Sequence, residues 1–169
     1  MDIKELIATL TPYKDKMFRY AYSIMGSRFE AEDVVQEAII KLWKGKEKFA
    51  QINNKEAWAI TVVRNLCIDK IRARKKKQTS DIDDYFHISD NAPSPDVKLE
   101  QKDALKKVTE IMNTLPETQK EIITLRDIEG YTYQEIADIM NLKVDQVKVY
   151  LFRARKILRE KLTPIRSML

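Results

Sequence analysis

Residues 132–158 read TYQEIADIMNLKVDQVKVYLFRARKIL, and this stretch predicts two consecutive helices joined by a tight turn. Thr132 is followed three residues later by Glu135, a capping-box pair that places a helix start at Tyr133. Asn141 tolerates the left-handed conformation in which helices often end. Apolar residues spaced three and four apart then form the buried seam of a second helix: Val144, Val147, Leu151, Ala154 and Leu158. The pattern is typical of a helix-turn-helix.

The outer face of that second helix carries side chains that suit a DNA groove. Away from the seam lie Asp145, Val149, Phe152, Arg153 and Lys156, with Lys148 and Arg155 at the flanks. Burial in the helix's own core does not account for an outward Phe152. In a recognition helix, an apolar ring contacts a thymine methyl group while Arg or Lys reads a guanine edge or binds phosphate. The alternative is a helical hairpin whose basic outer face is only solvated.

Lys143 stands where the cap of the second helix is expected. Its side chain cannot accept an amide hydrogen bond, and it lies at the positive end of the helix dipole. We expect Asp145 in the first turn to compensate. An alternative role for Lys143 is to bind a DNA phosphate.

Composition predicts an all-α protein. The 169 residues include only three glycines and five prolines, and apolar residues recur at helical spacing. The net charge is +5. The single cysteine, Cys67, excludes a disulfide framework and a cysteine metal site. No signal peptide or membrane-spanning run is apparent, so we expect a cytoplasmic protein that does not insert into a membrane.

Charge divides the chain into three parts. Residues 70–77, KIRARKKK, are strongly basic, and the stretch that follows is acidic and contains Pro93 and Pro95. We therefore predict helical domains at 1–77 and 97–169, joined by a flexible acidic linker at 78–96. The basic run is either a solvated helix end or a phosphate contact.

The first domain contains a helix with an acidic outer face. Ser27 and Glu30 predict a capping box that opens a helix through Trp43. Its buried seam consists of Ala31, Val34, Val35, Ala38 and Leu42, and its other sides carry Asp33, Gln36, Glu37 and Ile40. Such a face is often merely solvated. An apolar Ile40 among carboxylates nevertheless favours a protein partner over DNA.

A longer helix is predicted to begin after Asn53 and to run through Arg74. One stripe holds Trp58, Thr61, Asn65 and Arg72 and ends in the cationic tail. Aromatic stacking, hydrogen bonds to base edges and cations along the backbone are how single-stranded nucleic acids are bound. We expect the preceding loop, Phe49 to Asn54, to wall a pocket for an extruded base. For Trp58 alone, packing within the domain is the simpler explanation.

The second domain begins with a helix from about Val97 to Asn113. Thr114 with Glu117 predicts a further capping box, with Pro116 in its first turn. Gly130 is expected to end that helix before the helix-turn-helix.

Three segments together resemble the bacterial RNA polymerase sigma factors of the sigma-70 family, in the extracytoplasmic-function (ECF) group. AEDVVQEAIIKLW (31–43) is similar to the conserved region 2 helix, and AWAITVVRNLCIDKIRAR (57–74) resembles the helix that reads the minus-10 element. LPETQKEIITLRDIEGYTYQEIADIMNLKVDQVKVYLFRAR (115–155) resembles region 4, which includes the minus-35 reader. The last segment looks most like Bacteroidetes-type members.

The resemblance implies a specificity subunit without catalysis or cofactors. Partners would be the β′ clamp helices and β flap of core polymerase, promoter DNA and an anti-sigma factor. No small-molecule substrate is implied. The positions that bind core polymerase would be Asp33, Gln36, Glu37 and Ile40. The positions that bind the minus-10 element would be Phe49, Trp58, Thr61, Asn65, Arg72 and Arg74. The positions that bind the minus-35 element would be Lys143, Lys148, Val149, Phe152, Arg153 and Lys156. The linker would pass near the RNA exit path.

Two other classes of function compete with this one. A stand-alone DNA-binding regulator explains residues 115–158 but leaves the acidic helix and the Trp58–Asn65 stripe without a role. An enzyme is excluded because the only histidine, His87, lies in the predicted linker, Cys67 has no basic partner in the sequence pattern, and no phosphate-binding glycine loop occurs.

Overall fold

The computed structural model describes residues 1–78 and 99–166, and within them the regular structure is helical, as the sequence predicts. The helices are α1 Ile3–Leu10, α2 Lys14–Met25, α3 Arg28–Lys44, α4 Lys46–Gln51, α5 Lys55–Gln78, α6 Leu99–Thr114, α7 Glu117–Ile123, α8 Tyr133–Met140 and α9 Val144–Arg166. They form two compact units, α1 to α5 and α6 to α9. The predicted linker lies outside the described residues, except for Gln78, which ends α5.

The first unit is built on α2, α3 and α5, which pack against one another. The predicted seam of α3 is confirmed, because all five of its residues are buried. Gly26, at φ 73°, ends α2 in the left-handed conformation. The Ser27 hydroxyl then accepts the Glu30 amide at 3.4 Å and opens α3. The Glu30 carboxylate completes no capping box, because it pairs with Arg74 of α5.

Helix α5 differs from its predicted bounds at both ends. It begins one residue later than expected, because the Asn54 side chain, not that of Asn53, accepts the Ala57 amide at 3.0 Å. It also continues past Arg74 to Gln78, so the whole basic run is helical. On its core side Ala59, Ile60, Val63 and Cys67 are buried, while Leu66 is half-buried.

The second unit packs α7, α8 and α6 against α9. The predicted capping box at Thr114 is wrong, since the Thr114 hydroxyl donates to the Ile111 carbonyl and α7 begins directly after Pro116. Beyond α7 the chain widens into a π-helical turn, Thr124–Ile128. Helical periodicity did not predict that turn. Gly130, at φ 79°, then ends the segment as expected.

The helix-turn-helix forms as predicted. Thr132 and Glu135 make both capping-box hydrogen bonds, at 3.1 and 3.0 Å, and Asn141 is left-handed at φ 54° and ψ 50°. At the start of α9, the Gln146 side-chain oxygen accepts the Lys143 amide at 2.9 Å, a capping hydrogen bond that the sequence analysis did not include. Asp145 lies in the first turn, as expected, and its compensating role stays a prediction.

Two negative findings apply to the described ranges. No helix within residues 1–78 and 99–166 has the length and apolar character needed to cross a bilayer. The same residues contain no group of His, Cys, Asp and Glu side chains arranged to hold a metal ion.

Candidate protein- and nucleic-acid-binding surfaces

The outer side of α9 is an exposed surface of mixed apolar and basic character. The Phe152 side chain is 70% exposed and Val149 is 46% exposed, whereas Val147, Leu151 and Ala154 on the opposite side are buried. We call the exposed surface the recognition face; its members are Lys143, Lys148, Val149, Phe152, Arg153 and Lys156, all of them exposed. The predicted seam of α9 is therefore confirmed for these three residues, whereas its end members Val144 and Leu158 are half-buried.

A bidentate ion pair fixes α9 against the π-helical turn. Arg155 donates from Nε to Asp127 Oδ2 at 3.1 Å and from Nη2 to Asp127 Oδ1 at 2.6 Å. These hydrogen bonds raise the pKa of Arg155 above its ordinary value, against the opposing effect of desolvation. Arg155 thus has a structural partner within the unit, and its neighbour Arg153 belongs to the recognition face.

An aromatic ring supports the start of the recognition face. The Arg126 guanidinium lies 4.8 Å from the Tyr133 ring centroid, and the Lys148 ammonium lies 6.0 Å from it. Arg126 also donates to the Tyr131 carbonyl at 2.8 Å. Side chains from the π-helical turn and from α9 therefore both lie close to the Tyr133 ring at the start of α8.

The outer side of α3 is the acidic face, defined by Asp33, Gln36, Glu37 and Ile40. Gln36 is exposed and Ile40 is 53% exposed, as the sequence predicts. The two carboxylates are not simply solvated. Lys70 Nζ of α5 donates to Asp33 Oδ2 at 2.7 Å and to Glu37 Oε1 at 3.1 Å.

This three-residue cluster shifts two pKa values in the directions expected of an ion pair. The hydrogen bond from Lys70, and then its positive charge, lower the pKa of Asp33 below its ordinary value. The hydrogen bond to Asp33 is likewise the largest cause of the raised pKa of Lys70, and it outweighs the desolvation of the ammonium. Because two carboxylates share one ammonium, the cluster keeps a net negative charge.

The predicted stripe on α5 is partly exposed. Asn65 and Arg72 are exposed, whereas Trp58 and Thr61 are half-buried. The Thr61 hydroxyl donates to the Ala57 carbonyl at 2.8 Å, which leaves its oxygen lone pairs as acceptors. We call these four residues the α5 stripe. Lys48 of α4 lies beside it, with its ammonium 4.9 Å from the Trp58 ring centroid.

Two predicted minus-10 residues do not lie on this surface. Phe49 is only 1% exposed, because it belongs to helix α4 and packs into the core of the first unit. Only Ile52 to Asn54 remain as a connecting loop. Arg74 faces α3 and pairs with Glu30, since it lies nine residues from Asn65 and therefore half a helical turn away. The pocket role of Phe49 is therefore wrong, whereas the DNA contact of Arg74 stays a prediction.

Sequence reasoning missed three residues at these surfaces. Lys70 was included only in the basic run, although its spacing of three residues from Cys67 places it on the buried side of α5. Lys48 was not identified, because a contact between α4 and α5 leaves no local pattern. Phe29 is 79% exposed. Its position four residues before Asp33 on α3 is the signal that identifies it.

Comparison with known proteins matches both units to one family. Residues 10–77 match the family model for sigma-70 region 2, and residues 105–158 match the model for sigma-70 region 4. The two models fall on the first and second unit, respectively. The fold and both matches define the chain as a sigma factor of the sigma-70 type.

Individual relatives indicate the group within the sigma-70 family to which the chain is most similar. The ECF RNA polymerase sigma factor SigW of Bacillus subtilis is 30% identical over 159 residues, which cover 89% of this chain and 84% of that protein. SigM of the same organism is 31% identical over 148 residues, covering 87% and 88%. The sigma factor RpoE of Bartonella quintana, solved in complex with the anti-sigma factor NepR, gives a TM-score of 0.80 at 27% identity, covering 94% of this chain and 97% of that one.

The chain therefore belongs to the ECF group of RNA polymerase sigma factors. Members of this class direct promoter-specific initiation of transcription and leave the chemistry of RNA synthesis to the polymerase. The sequence-based prediction of function is confirmed at this level.

Proposed function

We propose that this sigma factor binds core polymerase and promoter DNA through three separate surfaces. The acidic face of α3 docks on the β′ clamp helices of core polymerase, the α5 stripe holds bases of the melted minus-10 strand, and the recognition face of α9 enters the minus-35 major groove. The observation that carries the proposal is the 70% exposure of Phe152 among basic side chains on an otherwise well-packed helix.

The recognition face has the chemistry that a major groove requires. Phe152 and Val149 offer apolar contact for thymine methyl groups, and Arg153 reaches guanine acceptors or phosphate. Lys143, Lys148 and Lys156 supply charge for the DNA backbone, which positions a helix without reading sequence. The bidentate pair of Arg155 with Asp127 holds α9 in place within its unit, so the recognition face is formed before DNA binds.

The acidic face is unsuited to DNA and suited to a protein. The cluster of Asp33, Glu37 and Lys70 keeps a net negative charge, which repels phosphate and attracts a cationic protein surface. Ile40 adds an exposed apolar contact on the same side of α3. A stand-alone regulator has no use for such a surface, and this favours docking on core polymerase.

The α5 stripe combines the groups that single-stranded bases need. Asn65 offers an amide for a base edge, Arg72 a cation for the backbone, and Trp58 an aromatic ring. Lys48 adds a second cation beside that ring. Trp58, Asn65 and Arg72 lie on one helix, so they are held in register with one another.

The remaining assignments rest on the family. The second unit contacts the β flap, and the protein acts in the cytoplasm, where core polymerase works. We assign the chain to the Bacteroidetes-type members on the RDIEGYTYQEIADIMN phrase. A regulatory anti-sigma factor is also proposed, because the similar Bartonella quintana sigma factor was solved with one.

Reconstitution tests this proposal. The purified chain is mixed with bacterial core polymerase, assayed for co-elution, and used for initiation on a library of genomic promoter fragments. We expect co-elution and start sites that share an upstream motif. Asp33→Lys is expected to abolish co-elution, whereas Glu110→Lys, the same charge reversal at an exposed site of α6, is expected to leave it unchanged.

Two results would contradict the proposal. If Asp33→Lys binds core as well as the unsubstituted chain, the docking surface is elsewhere. If the chain ignores core polymerase and shifts duplex DNA alone, a stand-alone regulator becomes the better account, and paired half-sites are then expected.

A further inference from the structure

Helix α3 exposes a second apolar side chain at its other end. Phe29 is 79% exposed, the highest value among the large hydrophobic side chains of the described residues. It lies in the first turn, which is fixed by the Ser27 cap and by the left-handed Gly26 that precedes it. The ring is thus held at a defined position on a formed helix.

The exposed residues of α3 form a regular seam. Phe29, Asp33, Gln36 and Ile40 follow one another at spacings of four, three and four residues. This is the spacing at which one helix packs lengthwise against another, as in a coiled coil. At 1.5 Å per residue, the seam from Phe29 to Ile40 is about 16 Å long.

We propose that Phe29 is an apolar anchor for the docking of core polymerase on α3, paired with Ile40 at the other end of the seam. The inference rests on the core-docking function proposed above and extends that surface by a full helical turn toward the N-terminus of α3. The partner is a polymerase helix that packs along α3. We expect this polymerase helix to place apolar side chains against Phe29 and Ile40 and a cation beside Asp33.

The seam itself argues for this partner. Single exposed hydrophobic residues are normal on a protein surface, but Phe29 and Ile40 share one helix face with the acidic residue Asp33 between them. DNA is excluded by the carboxylates. A second copy of this chain is disfavoured, because a two-fold contact places the carboxylates of both copies in one interface. Phenylalanine is one of the large aromatic side chains that dominate the energetics of interfaces when they are buried.

Affinity measurements test the role of Phe29. Phe29→Ala is expected to weaken binding of the full-length chain to core polymerase at least tenfold, whereas Phe29→Leu keeps most of the affinity because it preserves an apolar contact. Ile7→Ala is the matched control: Ile7 is 53% exposed on α1, and its replacement is expected to leave binding unchanged. Thermal unfolding of all three variants should match the unsubstituted chain, since none of these side chains belongs to the core.

A photocrosslinking residue in place of Phe29 identifies the occupant. We expect a crosslink to the β′ subunit in reconstituted holoenzyme and none from the same residue at position 7. A crosslink from position 29 to a second copy of the chain, or to no polymerase subunit, overturns the inference.

The Asp33→Lys variant separates failure of the inference from failure of the docking site itself. If Asp33→Lys abolishes binding and Phe29→Ala does not weaken it, the acidic face is the docking site and Phe29 is not part of it. If neither change affects binding, the docking site itself is wrong and the inference falls with it.

Discussion

Replacing Phe152 separates DNA recognition from folding more cleanly than any other change in the recognition face. A phenylalanine side chain offers about 150–250 Å² of surface, and 70% of this one is exposed. At about 25 cal/mol per Å², covering all of that exposed surface contributes roughly 2.5–4.5 kcal/mol. A groove wall covers only part of the ring, so we expect Phe152→Ala to cost about 1–2 kcal/mol of promoter binding, or roughly 5- to 30-fold in affinity.

The assay compares two promoters that share a minus-10 element. Holoenzyme carrying Phe152→Ala is measured for binding and initiation on a promoter with its minus-35 element and on one with that element scrambled. The loss should appear on the first promoter and be nearly absent on the second, because only the first offers the contact that the ring makes.

Leu151→Ala is the matched control for this experiment. Leu151 is the adjacent residue and is only 2% exposed, so its truncation is expected to cost about 2–5 kcal/mol of unfolding free energy. Phe152→Ala should leave the unfolding free energy almost unchanged. The reasoning is refuted if Phe152→Ala destabilises the fold as Leu151→Ala does, or if promoter preference survives the loss of the ring.

Three further predictions test the first unit and the helix-turn-helix. Asn65→Ala is expected to slow promoter opening more than duplex binding, because bases reach α5 only after the strands separate; permanganate footprinting should show this, and equal losses in both steps would contradict it. Thr132→Ala removes the acceptor of the Glu135 amide and is expected to cost about 1 kcal/mol in a urea titration; an unchanged midpoint would mean that the cap contributes nothing. Stability should depend on pH through the ion pair of Lys70. The stabilisation of the fold by this ion pair is fully present between pH 3.8, the ordinary pKa of Asp33, and pH 10.5, the ordinary pKa of Lys70. It is lost as the pH falls through the lowered pKa of Asp33 or rises through the raised pKa of Lys70. Lys70→Met should flatten both limbs of the stability curve, and an unchanged curve would argue against the pair.

Local patterns predicted most of the fold because they act within a few residues. The capping box at Thr132 and the left-handed turn at Asn141 each depend on one residue type at one spacing, and both formed as expected. The seams of α3 and α9 follow from the helical period alone. The same reasoning found Phe152, because an apolar residue opposite a buried seam has to be exposed.

The differences from prediction have two causes: contacts between elements, which the sequence does not show, and local departures from the regular helical pattern. Phe49 was predicted to line a pocket because the sequence does not show that α4 buries it against its neighbours. At the start of α9, Gln146 accepts the Lys143 amide, a local hydrogen bond that the charge argument for Asp145 does not include. The π-helical turn at Thr124–Ile128 departs from the period on which the prediction relied.

The cations of the basic run at the end of α5 have two roles, ion pairing with α3 and contact with DNA phosphates, and a measurement can tell the two apart. The run holds six cations within residues 70–77, and composition alone treats them all as available to DNA. Lys70 and Arg74 instead pair with carboxylates of α3, which ties the helix with the α5 stripe to the helix with the acidic face.

For single-stranded DNA, the slope of log K against log salt concentration steepens by about 0.7 for each phosphate contact. The slope measured for each variant therefore reports whether the replaced cation contacts a phosphate. We expect Arg72→Gln to reduce the slope of holoenzyme binding to a single-stranded minus-10 fragment by about 0.7. Arg74→Gln, the same change two residues away, should leave that slope unchanged because Arg74 is engaged by Glu30. Equal reductions from both variants would mean that Arg74 leaves Glu30 for the DNA backbone, and the two helices would then not be held together by this pair in the bound state.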